Sequence, residues 1–149
     1  MPQTVGQLSG KTSTVELSAA GTAWTAIGGS ATTLAPSGGG RQRSEAYTFD
    51  GDSPLVTIGK GELFDITVTG LYTEIANELF EFVRPIFEAG GDLHVRFTVK
   101  GAGTGNFIFT AGPGKVTALT YPSITAADAT PVMTGFVWRG PRPVKSSAV

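Results

Sequence analysis

The chain has no cysteine, a single histidine and little charge, and each scarcity removes a class of function. Without cysteine there is neither a disulfide framework nor a thiolate metal site, and redox compartment leaves no mark on the sequence. The lone histidine, His94, has Arg96 beside it on a strand-like stretch and reads as a solvated strand residue, so Ser-His-Asp and Cys-His nucleophile arrangements have nothing to work with. Charged residues make up 15% of the chain and the net charge is −1, against about 25% charged residues in an average soluble protein. That balance argues against an extended basic footprint for nucleic acid, and it leaves little electrostatic repulsion to keep copies of the chain apart. No stretch approaches the roughly 18 apolar residues of a membrane span. The first ten residues lack a basic region followed by an apolar core, so no membrane span and synthesis in the cytoplasm are expected.

What is present is glycine, 21 of 149 residues, and period-two alternation. The length suits a single domain over residues 1–149. Phe64, Ile66 and Val68 alternate with Asp65, Thr67 and Thr69, and Leu93, Val95, Phe97 and Val99 alternate with His94, Arg96, Thr98 and Lys100. Each is the signature of a half-buried strand. Further strands are expected at 14–17, 22–27, 45–49, 55–58, 106–110, 116–121 and 132–138, each bounded by Gly, Pro or Asp. Short strands at this spacing indicate a β-sandwich or barrel. Trp24, Phe64, Phe97, Phe109, Phe136 and Trp138 fall mostly at strand spacing, which favours core over a base-stacking platform.

One segment follows a different period. Ile75, Leu79, Phe82, Val83 and Ile86 recur at helical spacing, so one α-helix flanking the sheet is expected at about 73–89. Thr73 is the expected N-cap and Gly90–Gly91 the stop, while Pro85 predicts a kink or an early end. Residues 28–44 are low in bulky side chains and read as a flexible Gly-rich loop between subunits. Residues 139–149 read as a basic, Pro-broken C-terminal tail.

Templates for chemistry fail one after another. GPGK at 112–115 has Phe109 and Val116 where a phosphate loop needs Gly and a hydroxyl, and GAGTGN lacks the third Gly of the dinucleotide fingerprint. Asp50-Gly-Asp52 lacks the remaining ligands of a calcium loop and reads as a hairpin turn. The pairs Glu62 with Asp65 and Glu78 with Glu81 read as solvated faces without a partner to shift their acidity. No catalytic, cofactor-binding or metal-binding residue is expected.

YTFDGD at 47–52 with Pro54, Val56-Thr57 and Gly59-Lys60, then LYTE at 71–74 and FEAG at 87–90, resembles in order and spacing the major tail tube proteins of long-tailed, siphovirus-type bacteriophages. The resemblance covers roughly residues 24–100. It implies a mainly β, sandwich or barrel-like tail-tube fold with one flanking helix, in a structural virion protein without enzymatic activity. It further implies hexameric rings that stack into a hollow tube, with DNA and a tape-measure protein in the lumen held without sequence-specific binding, and DNA ejection through it. The location implied is the virion tail, after assembly in the cytoplasm of the bacterial host. Expected contacts between subunits lie in the 28–44 loop and the 50–60 hairpin, at Arg41, Arg43, Glu45, Asp50, Asp52 and Lys60. A head-decoration protein, the tube of a contractile apparatus and a monomeric ligand-binding β module are the rival readings.

Overall fold

A computed structural model describes residues 6–101, 103–126 and 129–148. The N-terminal half of the 1–10 stretch and the last residue of the 139–149 tail therefore lie outside the described residues. Among the described residues no helix is long and apolar enough to cross a membrane.

The two alternating stretches are central to the fold. Phe64–Leu71 forms β6 and Asp92–Thr98 forms β7, and their inward residues Ile66, Val68, Leu93 and Val95 are fully buried. Around them run β1 (Thr14–Ser18), β2 (Thr25–Ala26), β3 (Ala31–Gly38), β8 (Phe107–Thr120), β9 (Met133–Gly140) and β10 (Val144–Ser147). These join into one antiparallel sheet in the order β2-β1-β7-β8-β9-β6-β3, with β10 on β8. The sheet curls until residues of β1 and β3, near its two ends, line one cleft, which makes a sandwich-like body with an open seam. A separate two-stranded ribbon is formed by β4 (Arg41–Ala46) and β5 (Leu55–Gly61).

The two strands expected at 106–110 and 116–121 are one strand, β8, whose register against β7 shifts between Ala111 and Gly114. Its first part pairs with β10 and its last part with β9, so the C-terminal run continues along a single neighbour after the break at Pro141. The tail expected over 139–149 is therefore largely strand. Trp138 anchors this corner. Its indole N–H donates to the Leu93 carbonyl at 2.8 Å, and the ring is wholly buried. A Cβ on Gly114 would stand 2.4 Å from that ring and one on Gly140 2.5 Å, so both neighbours must be glycine for the indole to fit.

The loop expected at 28–44 is also strand: β3 pairs with β6 from Ala31 to Gly38, and β4 begins at Arg41. Backbone pairing and the Thr33–Thr69 hydroxyl contact hold this segment although it has few bulky side chains. In contrast, 22–27 contributes only the two residues of β2.

The helix, α1, spans Leu79–Ala89 and starts later than expected. Thr73 does not cap it; its hydroxyl donates to the Glu78 carboxylate. The cap comes from elsewhere: buried Ser30 accepts the Leu79 N–H at 3.2 Å. Pro85 lies inside the helix without ending it, and Gly90 in the left-handed region closes it at φ 68°. Leu79 and Val83 enter the same apolar cluster as Leu17, Ile66, Val95, Phe136 and Trp138. Phe80, edge-on to Tyr72 and Tyr121, extends the helix face over the end of β8.

His94 departs from expectation. It is half-buried, its ring fills the space that a side chain on Gly112 or Gly21 would need, and Trp24 stands edge-on at 6.5 Å. Thr98 on the same outward row is 3% exposed, because its hydroxyl bonds Thr14 at 2.7 Å.

Candidate assembly surface

The β4–β5 ribbon is an arm. It continues the β3/β6 pair past a bend: Gly38 pairs with Phe64, Gly39 N–H donates to Leu63 O at 3.1 Å, Glu62 N–H donates to Gly40 O at 2.7 Å, and Arg41 then pairs with Gly61. Gly39 at the bend has φ +71°, and a Cβ there would overlap the Phe64 ring, 1.8 Å from its nearest atom. Only glycine satisfies both conditions. Every residue of β4 and β5 is exposed, including Leu55, Val56 and Ile58. A two-stranded ribbon standing alone is at best marginally stable in water; this one is held at its base by continuity with β3 and β6.

Strand pairing ends at Ala46 with Leu55, so residues 47–54 make a wider tip than the tight Asp-Gly turn expected. Asp50 and Asp52 sit on that tip, exposed, as are Tyr47 and Phe49. All six expected contact residues, Arg41, Arg43, Glu45, Asp50, Asp52 and Lys60, thus fall on one projecting element, and none takes part in an ion pair among the described residues. The apolar members Tyr47, Phe49, Leu55, Val56 and Ile58 were not among them. Phe49 had a sequence signal, an aromatic residue placed within turn chemistry.

The body carries several local ion pairs beside charges such as Lys11 and Arg142 that join no ion pair among the described residues. Glu16–Arg96, Asp65–Arg139 and Asp92–Lys115 each join directly opposed residues of neighbouring strands, at 2.5, 3.0 and 2.7 Å. Arg96 also lies over the Trp24 ring, 4.4 Å from its centroid. The hydrogen bond and charge of Lys115 hold the Asp92 carboxyl below its ordinary range. On the helix, the Glu81 hydrogen bond raises Arg84, with Glu88 adding to it. Exposed pairs of this kind are screened by water and add little to stability.

Two adjoining clefts open at the base of the arm. The larger, about 610 Å³, follows the seam between β1 and β3 and has Lys11 at its edge. The smaller, about 230 Å³, is lined by Pro36, Phe64, Phe97, Phe109, Arg142 and Pro143, and shares Pro36 and Phe97 with the first. Phe64, Phe97 and Phe109 are therefore half-buried cleft walls, not closed core. Among the described residues no group of three His, Cys, Asp or Glu side chains is placed to hold a metal.

The overall fold recurs in solved structures. A chain of the PVC sheath-tube complex of an extracellular contractile injection system, in its extended state, superposes with a TM-score of 0.66 at 16% identity, over 97% of this chain and 94% of that one. This is the tail-tube fold. The same fold matches a chain in the virion of a native gene transfer agent particle with a TM-score of 0.68 at 14% identity, covering 96% and 100% of the two chains. It also matches one in the tail of an empty particle of that type, refined with C6 symmetry, at 0.65 and 14%, over 99% and 100%. No family model matches the sequence, and no curated protein matches it. Agreement over nearly the whole chain at such low identity means that the tail-tube fold is kept by pattern and topology more than by particular side chains.

Proposed function

We propose that this chain is the repeating subunit of a phage-type tail tube, a structural virion protein that forms hexameric rings which stack into a hollow tail. The observation that carries this reading is a fully exposed, partly apolar arm on a body of tail-tube fold. The open outer edge of β3 supports it too, because unpaired edges are aggregation hazards unless a neighbour or covering element meets them. Head-to-tail contact between identical copies gives rings where the rotation closes.

The single domain over 1–149 contributes β3 and the arm to subunit contacts, with Arg41, Arg43, Glu45, Asp50, Asp52 and Lys60 pairing across copies. The mechanism is passive. DNA and a tape-measure protein occupy the lumen without sequence-specific contacts, in keeping with a net charge of −1 that offers phosphates no broad basic face. Its place is the tail of the particle, reached after assembly in the host cytoplasm, and its service is DNA passage during ejection.

Negative-stain microscopy of the purified chain across a concentration series tests the reading. Six-fold rings and hollow tubes are expected. A monodisperse monomer at the highest concentration would remove it.

A further inference from the structure

We propose that the aromatic cleft at the base of the arm is the receptor for the arm tip of a second copy. Phe49 is seated among Phe64, Phe97 and Phe109, and Asp50 and Asp52 are met by Lys11 and Arg142. The proposal rests on the self-assembly reading above and names the partner surfaces within it.

Reach decides that the tip must enter another molecule. At about 3.3 Å per residue, β4 and the tip carry Phe49 up to roughly 30 Å from Gly39. The cleft lies at the opposite end of that arm: Phe64 packs on Gly39, Pro36 precedes the bend, and Arg142 donates to the Gly39 carbonyl at 3.3 Å. A paired ribbon extended from its own base does not bring its tip back there. Tip and base on different copies meet readily, and the contact repeats head to tail.

The chemistry of the two ends matches. Phe49 has no cover at all, at 110% relative exposure, and Tyr47 is at 72%. The receiving cleft is walled by the stacked pair Phe97–Phe109, with centroids 5.4 Å apart, and by Phe64 and two prolines. Aromatic anchors in apolar pockets are the usual centres of protein interfaces. Charge completes the fit: the tip carries two carboxylates, the cleft rims carry Lys11 and Arg142, and among the described residues none of these four is in an ion pair. Complementary rim charge fixes orientation and excludes wrong registers.

Three variants of the full chain test the docking. Phe49→Ala should raise the concentration needed for tube formation about tenfold or more, with the melting temperature of the dilute monomer unchanged, since the ring touches nothing in its own chain. Asp50→Lys with Asp52→Lys should block assembly, and adding Lys11→Glu with Arg142→Glu in the same chain should restore it. Because the chain has no cysteine, Gly51→Cys combined with Pro143→Cys should give a covalent ladder on oxidation, whereas either single variant should stop at dimers. If wild-type tubes form while Phe49→Ala assembles at the wild-type concentration, or the double-cysteine chain forms tubes but no ladder, the docking is overturned and the tube reading stands. If the wild-type chain stays monomeric, the tube reading fails and takes the docking with it.

Discussion

Trp138 shows how much of this fold turns on single atoms. Its ring is held between two glycines and tied to the Leu93 carbonyl, so adding one methyl at Gly140 forces a contact of 2.5 Å in a corner with no slack. Gly140→Ala should lower stability by about 1–3 kcal/mol, read as a shift of the denaturant midpoint with its slope unchanged. A second residue-scale prediction concerns acid. The Asp92 carboxyl is held below its ordinary value by Lys115, so its contribution is present above the unfolded pKa of about 4 and is lost as pH falls through the lower folded value. Asp92→Asn should therefore flatten the loss of stability below about pH 4, measured by pH-dependent melting, while leaving the profile between pH 6 and 8 unaltered. The residues that proved hardest to place from sequence were His94 and Thr98. Alternation put them on the outer face correctly, but nothing local announces that Gly21, Gly112 and Thr14 would come across to cover them.

At the scale of elements, the helix start illustrates a general difficulty. Thr73 and Glu74 look like a cap followed by a first turn, yet the Leu79 N–H is satisfied by Ser30, 49 residues earlier. Ser30→Ala should cost about 1 kcal/mol and should increase amide exchange in the first turn of α1 more than in the sheet. Strands β6 and β7 were legible because burial on one face writes itself into the sequence as alternation. The segments Ala31–Gly38 and Val144–Ser147 were not, because they lie at edges, have few large apolar residues, and owe their conformation to ladders with β6 and β8. A hairpin around Asp50 and Asp52 was legible, since Asp-Gly turn chemistry between strand-forming runs marks one, but that Arg41 and Arg43 form its first strand was not, because they read as the end of a Gly-rich loop. The hairpin's aromatic tip and the matching cleft were hidden. The cleft is assembled from β3, β6, β7, β8 and the run after β9, which no local window contains.

For the whole molecule, the strand pairing that joins body and arm among the described residues runs through the bend at residues 38–40 and 62–63. The apolar cluster contains no residue of β4 or β5. Replacing residues 41–61 with a short turn should therefore leave a folded monomer with a melting temperature close to the parent's, and should abolish assembly in sedimentation velocity. A large loss of stability would mean that the arm braces the body. Low charge takes on a meaning here that composition alone left open. On the sheet three pairs of opposite charge face each other across neighbouring strands, while the ionic side chains of the arm stand in no ion pair among the described residues.

Both tryptophans belong to the body, Trp138 in its centre and Trp24 beneath Arg96, and the arm has none. Intrinsic emission at indole-selective excitation is then a channel for folding alone. Light scattering supplies the other channel, so a single cuvette can follow the body closing and copies joining as two separate clocks.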